Sequence, residues 1–523
     1  MHRSALAALA ALALLPACRG TQFWVDLTID RGPADALLPL EVTVTELDAA
    51  GATLGSATLT LRAGDPFAPD ADLSRLLVVP DPGTRAVVVT ADARVAPAPP
   101  WAHAEVRVER APRTVAATLT LARVSLCAGT GVEPLVVDDT SDSLDNGWPS
   151  SRADEGPTLS FREALTLAHL DGGATILFDP TVFPPDAPAV ISVVSNALPM
   201  IDSDATCIDG IGAGVIVDGF SLAAVDQGLE VVSAGNTIAN VTIRGFTLDG
   251  ILLRNDDNVV AGCTLDANGQ YGVNVGNGAA GTVVGPYNVL TGNSDGIVLD
   301  FAVSATVVAG NFIGVGADLE GPGNECSGLS VDDGSNVEIR DNFIGSNASD
   351  GIQLSPLASM VLVHHNFIGT SADFSVNAGN MLSGLYALGS ADVVIGPGNV
   401  IGHNVADGVR LTDTMRVTVA GNFISLDGLE AINLEGLANG ALAAPVITTV
   451  APTGGTAPVE AVSLELFSDE GDEAGWIVAS DVPVLGGTWT YDGPLVGCRA
   501  FLTAAVTDEA GNTSALSAAV PCP

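Results

Sequence analysis

The 523-residue sequence predicts an all-β protein in which a long parallel β-helix, with about 22–24 residues per coil, stands between two smaller β-sandwiches. Three observations predict it. A short phrase recurs, as "GNFIG" at 310–314, "DNFIG" at 341–345, "HNFIG" at 365–369 and "GNFIS" at 421–425. A glycine recurs ahead of an apolar alternating triplet, at Gly228, Gly250, Gly272, Gly296, Gly328, Gly351, Gly384 and Gly408, with Ala431 closing the series. Both ends of the chain instead carry longer runs alternating apolar and polar residues, the period of half-buried strands.

Residues 1–18 read as a processing segment: Arg3, an apolar stretch from Ala5 to Leu15, then "LPAC" at 15–18. Residues 23–126 hold "EVTVTEL" (41–47), "SATLTL" (56–61), "RAVVVTADARV" (85–95), "EVRVE" (105–109) and "TVAATLTL" (114–121), which predict an antiparallel sandwich. The β-helix is assigned to 132–440. It opens with "SFREALTLAH" (160–169), where Ser160 and Glu163 form a capping box and Leu159 a hydrophobic staple, so a helix covers the open first coil. Two coils are about nine residues longer than the rest and carry similarly worded insertions at 314–324 and 369–380, hence at one corner. Val241/Ile243, Val260, Val308, Val337/Ile339, Val361/Val363 and Val417/Val419 are expected to stack inward on a second strand. Beyond them Phe246, Cys263, Asn311, Asn342, Asn366 and Asn422 form a turn column, the asparagines in left-handed conformation and bonding from coil to coil. Residues 444–523 read as a small sandwich.

"TLSFREALTLAH", followed by "ILFD" (176–179), "LPMI" (198–201) and "VIVDG" (215–219), resembles the opening segment of bacterial right-handed parallel β-helix proteins with a CSLREA-type motif. Arg162, Glu163 and Ala164 are kept, while 158–161 differ. The resemblance implies a right-handed coil and an exported or surface location. "LPAC" is similar to a lipobox, which implies lipidation of Cys18 and an anchor in the outer membrane or at the cell surface; an ordinary secretion signal is the alternative. The C-terminal segment resembles bacterial Ig-like modules. Of the six later cysteines, Cys498 and Cys522 share this module and are the expected disulfide among fifteen connectivities.

All 19 basic residues are Arg, against 61 acidic ones, for a formal charge of -42. That field disfavours nucleic acid and anionic lipid as partners and would attract divalent cations; no cofactor is called for, although calcium could be held. No Cys/His spacing suggests zinc. The Asn-Thr-Asp, Gly-His-Gly and Arg-Ile-Lys motifs of polygalacturonase-like β-helices are missing, and Asp332-Asp333 is the single echo. Counting from the column glycine, Asp300 and Asp332 stack on adjoining coils at about 5 Å. They are the candidate catalytic residues with Asp333, since such carboxyls can share a proton, hold calcium or serve a retaining glycosidase, or can be ordinary turn residues. Arg340 and His364 stack outward beside Asp341 and His365, a candidate ligand-binding patch. The Asp-Gly column of Asp249, Asp295, Asp350 and Asp407 reads as a turn requirement.

The leading expectation is a monomeric, lipid-anchored scaffold for adhesion or for binding polysaccharide or other envelope components, without catalysis. The alternative is a polysaccharide lyase, hydrolase or epimerase acting on a β-helix face.

Overall fold

The computed structural model describes residues 25–30, 40–48, 52–61, 75–78, 86–93, 102–109, 115–120 and 122–127, and then 133–523 apart from 144–148, 150, 152–156, 195, 223, 451–452, 470–473 and 496–497. The processing segment and Cys18 lie outside the described residues. The chain divides into two compact units, 1–126 and 127–523.

The first unit has a five-stranded antiparallel sheet built on Leu40–Leu47, Thr53–Leu61, Ala86–Ala93 and Ala102–Glu109, with Val42, Val44, Val87 and Val89 buried by period-two alternation. Its second sheet departs from the antiparallel expectation. Val25–Asp30 runs parallel to Val115–Thr120 and antiparallel to Arg75–Val78. Alternation fixes which side chains face inward but not strand direction, so the parallel pair left no mark in the sequence.

The second unit opens with helix Phe161–Asp171. Glu163 N–H donates to Ser160 Oγ while Ser160 N–H donates to the Glu163 carboxylate at 3.0 Å, completing the capping box. Arg162 is buried and bidentate to Asp142 (2.7 and 2.9 Å), and it also donates to the carbonyls of Asn196 and Ala197. The kept Arg-Glu-Ala triplet thus has three structural uses: Arg162 ties together three segments, Glu163 caps, and Ala164 packs fully buried. A disulfide between Cys127 and Cys207 fastens the same end.

From there the chain winds through three parallel sheets. Face I has nine strands, from Leu229–Val231 to Ile432–Glu435; face II runs from Leu135–Val137 to Met415–Val419; face III runs from Ala189–Ser192 to Phe423–Ser425. Inward residues stack in single files, as in Ile297–Leu329–Ile352–Leu385–Val409 on face I, and share one continuous core. On face II the file reads Ile238, Val260, Val284, Val308, Ile339, Val363, Ile395 and Val419. Ile243 instead pairs with Leu265 on face III, correcting the expected stacking of Val241/Ile243.

The repeated asparagine is architectural. Between faces II and III, Asn288, Asn311, Asn342, Asn366, Asn399 and Asn422 form a buried ladder in which each Nδ2 donates to the next Oδ1 at 2.9–3.0 Å. The left-handed residue is the one before the asparagine (Tyr287, Gly310, Asp341, His365, Gly398, Gly421), which turns the chain so that the amide points inward. A second ladder, at the corner between faces III and I, passes through Asn268, Asn293, Asn324, Asn347, Asn380 and Asn404 to Asp427. Phe246 heads this second ladder, donating its N–H to Asn268 Oδ1, and not the first. In "NFIG" the Phe and Ile stack on face III, Phe312–Phe343–Phe367 and Ile313–Ile344–Ile368.

The C-terminal module is one seven-stranded antiparallel sheet rather than two facing sheets. Trp476–Leu485 pairs along its first part with Ala461–Asp469 and at Val484–Leu485 with Thr488–Tyr491, so a single strand turns the corner. A disulfide joins Cys498 and Cys522. Phe467, Ala474 and Ala505 continue the β-helix core, and Thr513 and Asn439 bond the backbone of Val417–Val419, so the module closes the last coil. Among the described residues no helix is long and apolar enough to cross a membrane.

Candidate functional site

Face I carries the candidate catalytic residues Asp300 and Asp332 just past two of its strands. Its glycine column is required by close approach: a Cβ at Gly272 or Gly328 would stand 2.7 Å from the carbonyl oxygen of the corresponding glycine in the following coil. Ala431 ends the series because no further coil follows it. Beside the glycines, Asp249, Asp295, Asp350 and Asp407 each accept the N–H of a residue in the following coil: Tyr271, Ser327, Ser383 and Glu430, at 2.8–3.2 Å. One aspartate thus braces two coils, which explains the alternation of Asp with Tyr or Ser.

Four carboxyls of face I, Asp249, Asp295, Asp300 and Asp332, lie within electrostatic reach of Tyr271. Asp249 accepts from Asn274 Nδ2 at 3.1 Å, and Asp295 lies within reach of Ser330 Oγ at 3.4 Å. Asp332 accepts from Ser355 Oγ at 3.2 Å, and Asp300 accepts the N–H of Phe301 at 2.7 Å. The expected pair, Asp300 and Asp332, falls on adjoining coils just past the paired Leu299 and Val331. Burial pushes the Asp332 carboxyl above its ordinary range, and the charge of Asp300 adds to the rise. Asp295 is raised by burial and further by Asp332. Burial also raises the Tyr271 phenol, with Asp295, Asp249, Asp332 and Asp300 each adding to it. Asp333 leads away to face II, its carbonyl accepting from Val303.

Phe301 was missed in the sequence. Its side chain is 68% exposed and its backbone left-handed (φ 54°), as is that of Ala302 (φ 64°), a conformation that aromatic residues rarely adopt. It places an apolar ring at the rim beside Asp300. Farther along the face, the Arg410 guanidinium lies over the Tyr386 ring (5.1 Å) and donates to Glu435 (2.9 Å). Arg254, in the column of Asp300, is held by Glu230 at 2.8 Å. Both guanidiniums are thus committed to carboxylates, and the four-carboxyl cluster keeps its negative potential.

Arg340 and His364 are paired in register on face II, on the side opposite the inward Ile339 and Val363, where neighbouring side chains largely cover them. Arg340 is buried against Glu338 (3.1 Å) and Asp341 (2.9 Å), and His364 bonds Glu338 (2.9 Å) and His365 (2.7 Å). Bonding to His364, followed by the influence of Arg340, holds the Glu338 carboxyl below its ordinary range. The network consumes the polar groups that the sequence offered to a ligand. Among the described residues no three His, Cys, Asp or Glu side chains, the face I aspartates included, are placed so that they could hold one metal ion.

A family model described as a right handed beta helix region matches residues 227–380. The middle of the chain is a right-handed parallel β-helix. Solved structures with a distant likeness include the periplasmic alginate epimerase AlgG (15% identity, TM-score 0.33, covering 50% of this chain and 76% of that one). The A-module of Azotobacter vinelandii mannuronan C-5 epimerase AlgE6 gives 15% identity, TM-score 0.35 and coverages of 57% and 79%. Pectate lyase Pel9A gives 15%, 0.32, 56% and 72%. No curated protein matches the chain.

Proposed function

We propose that the protein is a polysaccharide-active β-helix that lays its ligand along face I and acts on it at Asp300 and Asp332. The observation that carries this reading is the half-buried Asp332 carboxyl, raised above its ordinary range beside a second carboxyl on the adjoining coil and an exposed, strained aromatic rim. Asp332 in its protonated form is the general acid, and Asp300 is the nucleophile or base. Stacked strands separate such carboxyls by about 5 Å, the separation at which a retaining glycosidase works. Phe301 would cover the apolar face of a sugar ring. Because the cluster is negative and both arginines of the face are already paired, the ligand is a neutral or amino-bearing polymer rather than a uronate.

A second reading, favoured by the asparagine ladder that stiffens the corner leading into face I, is a scaffold that binds the same polymer without turnover. For either reading we propose export and tethering through a lipidated Cys18. The two disulfides are compatible with an oxidising compartment.

The test is incubation of the chain from Gly20 onward with a neutral glucan, a glucosamine polymer and a uronate polymer, with and without calcium, while new reducing ends and unsaturated products are followed. Reducing ends from the neutral or amino polymer are expected. Unsaturated product from the uronate would replace hydrolysis by elimination, and binding without product would favour the scaffold.

A further inference from the structure

One position in the column of Asp300 carries no side chain. Coil by coil, the residue after each face I strand is Arg254, Gly276, Asp300, Asp332 and Ser355, so Gly276 leaves a gap beside Asp300. A Cβ at Gly276 would meet the Phe301 ring at 3.6 Å, Asn274 Oδ1 at 3.7 Å and the Asp300 carbonyl oxygen at 3.7 Å, and nothing nearer. The gap therefore admits a methyl-sized group, and its walls are an aromatic ring and two oxygens.

Neither oxygen has a partner among the described residues. Asn274 stands in register between Leu252 and Val298, and its Nδ2 donates to Asp249 Oδ2 at 3.1 Å, which turns Oδ1 the other way. That Oδ1 is out of solvent and accepts no hydrogen bond. No N–H or hydroxyl of the described chain reaches the Asp300 carbonyl. A buried acceptor left unpaired costs about 1–3 kcal/mol, so such an orphan in a polar site calls for a donor from outside the chain. Arg254, on the adjoining coil, does not supply it, being turned to Glu230 at 2.8 Å. The Phe301 ring on the outer wall is 68% exposed, and so exposed a side chain turns aside within nanoseconds to admit a ligand.

We propose that this gap is the subsite for a free amino group, and that the polymer laid along face I is built of amino sugars with unacetylated amines. The inference rests on the carboxyl reading above for where the polymer lies, and it narrows that reading's ligand. A hydroxyl carries one hydrogen and satisfies one of the two acceptors. An ammonium carries three, enough for Asn274 Oδ1, the Asp300 carbonyl and a carboxylate of the site. The negative field of Asp249, Asp295, Asp300 and Asp332 favours the cation. An acetamide offers a single N–H and overfills a methyl-sized space.

The test uses the full chain and thio-linked tetramers of glucosamine, N-acetylglucosamine and glucose, which resist cleavage, with binding followed by calorimetry. The glucosamine tetramer should bind about tenfold more tightly than the other two, the equivalent of one hydrogen bond to a charged group. Gly276→Ala, whose methyl would meet nothing closer than 3.6 Å, fills the gap without disturbing the fold. Asn274→Leu removes the orphaned acceptor and puts in the residue type that Leu252 supplies one coil earlier. Each should bring glucosamine binding down to the level of glucose. Neither variant changes the charge, so a preference due to the protein's net charge alone would survive both. No binding of the glucosamine tetramer, equal binding of all three, or a preference that either folded variant keeps in full overturns the proposal. Failure of the carboxyl reading shows elsewhere, as product release from a polymer that persists in Asp300→Asn/Asp332→Asn, so the two failures are told apart.

Discussion

At the scale of single residues, the asparagines and aspartates that punctuate the coils act through their side-chain amides and carboxylates on backbone, and this separates architecture from chemistry. Asn366 accepts from the N–H and the amide of Asn342 and donates to Ile339 O and Asn399 Oδ1, all between 2.9 and 3.1 Å and out of solvent. Asn366→Ala removes these four bonds and a fifth, from the amide to His364 O at 3.0 Å, and strands a buried N–H, so a loss of about 2–4 kcal/mol is expected in chemical denaturation. Polysaccharide binding per folded molecule should be unchanged. Reduced binding at unchanged stability would assign the ladder to the ligand instead. The first ladder was legible because its asparagines sit in the conspicuous "NFI" phrase. The second was not, although an asparagine recurs four residues before Gly272, Gly328, Gly351, Gly384 and Gly408, because the intervening residues are unlike one another.

At the scale of elements, the junction between the last coil and the C-terminal module carries a titrating group. Glu465, on strand Ala461–Asp469, accepts the N–H of Gly421 at 3.0–3.1 Å. Burial pushes its carboxyl up to about 7, with the charge of Asp481 adding to the rise. A carboxyl raised in the folded state holds its proton there after the unfolded chain has lost it. Its contribution is therefore most favourable below about pH 4.5 and declines as pH rises toward 7, by about 3 kcal/mol in all. Glu465→Gln keeps an acceptor for Gly421 without the charge. The variant should match the parent near pH 4.5 and melt higher at pH 8; parallel pH profiles for the two proteins would show that the group does not govern the junction. Docking of the module through this strand was not legible in the sequence, where the terminal segment reads as a separate sandwich. Ala474 and Phe467 look like ordinary strand residues until the open end of the β-helix is set against them.

At the scale of the whole molecule, the coil count, the inserted corner and the capping helix followed from glycine spacing and one capping box, because each coil must meet the same steric conditions as its neighbours. Strand direction in the N-terminal unit and the single-sheet form of the C-terminal module did not, since both depend on which edges meet. The candidate site was half legible. Counting from the glycines stacked Asp300 on Asp332, but Tyr271, Asp295 and Asp249 belong to another column of the same face, and only the folded coil sets the two columns around one phenol. Arg340 and His364 were likewise stacked by register, yet register does not report that Glu338 lies between them to absorb both. The central proposal is that the stacked carboxyls of face I work on a sugar polymer, and it is tested most directly with Asp300→Asn/Asp332→Asn. On the polymer that yields reducing ends with the parent protein, the double variant should release product at least 100-fold more slowly while keeping an unchanged or higher melting temperature, because it removes two repelling carboxylates. Product release at the parent rate by a folded double variant would contradict the account.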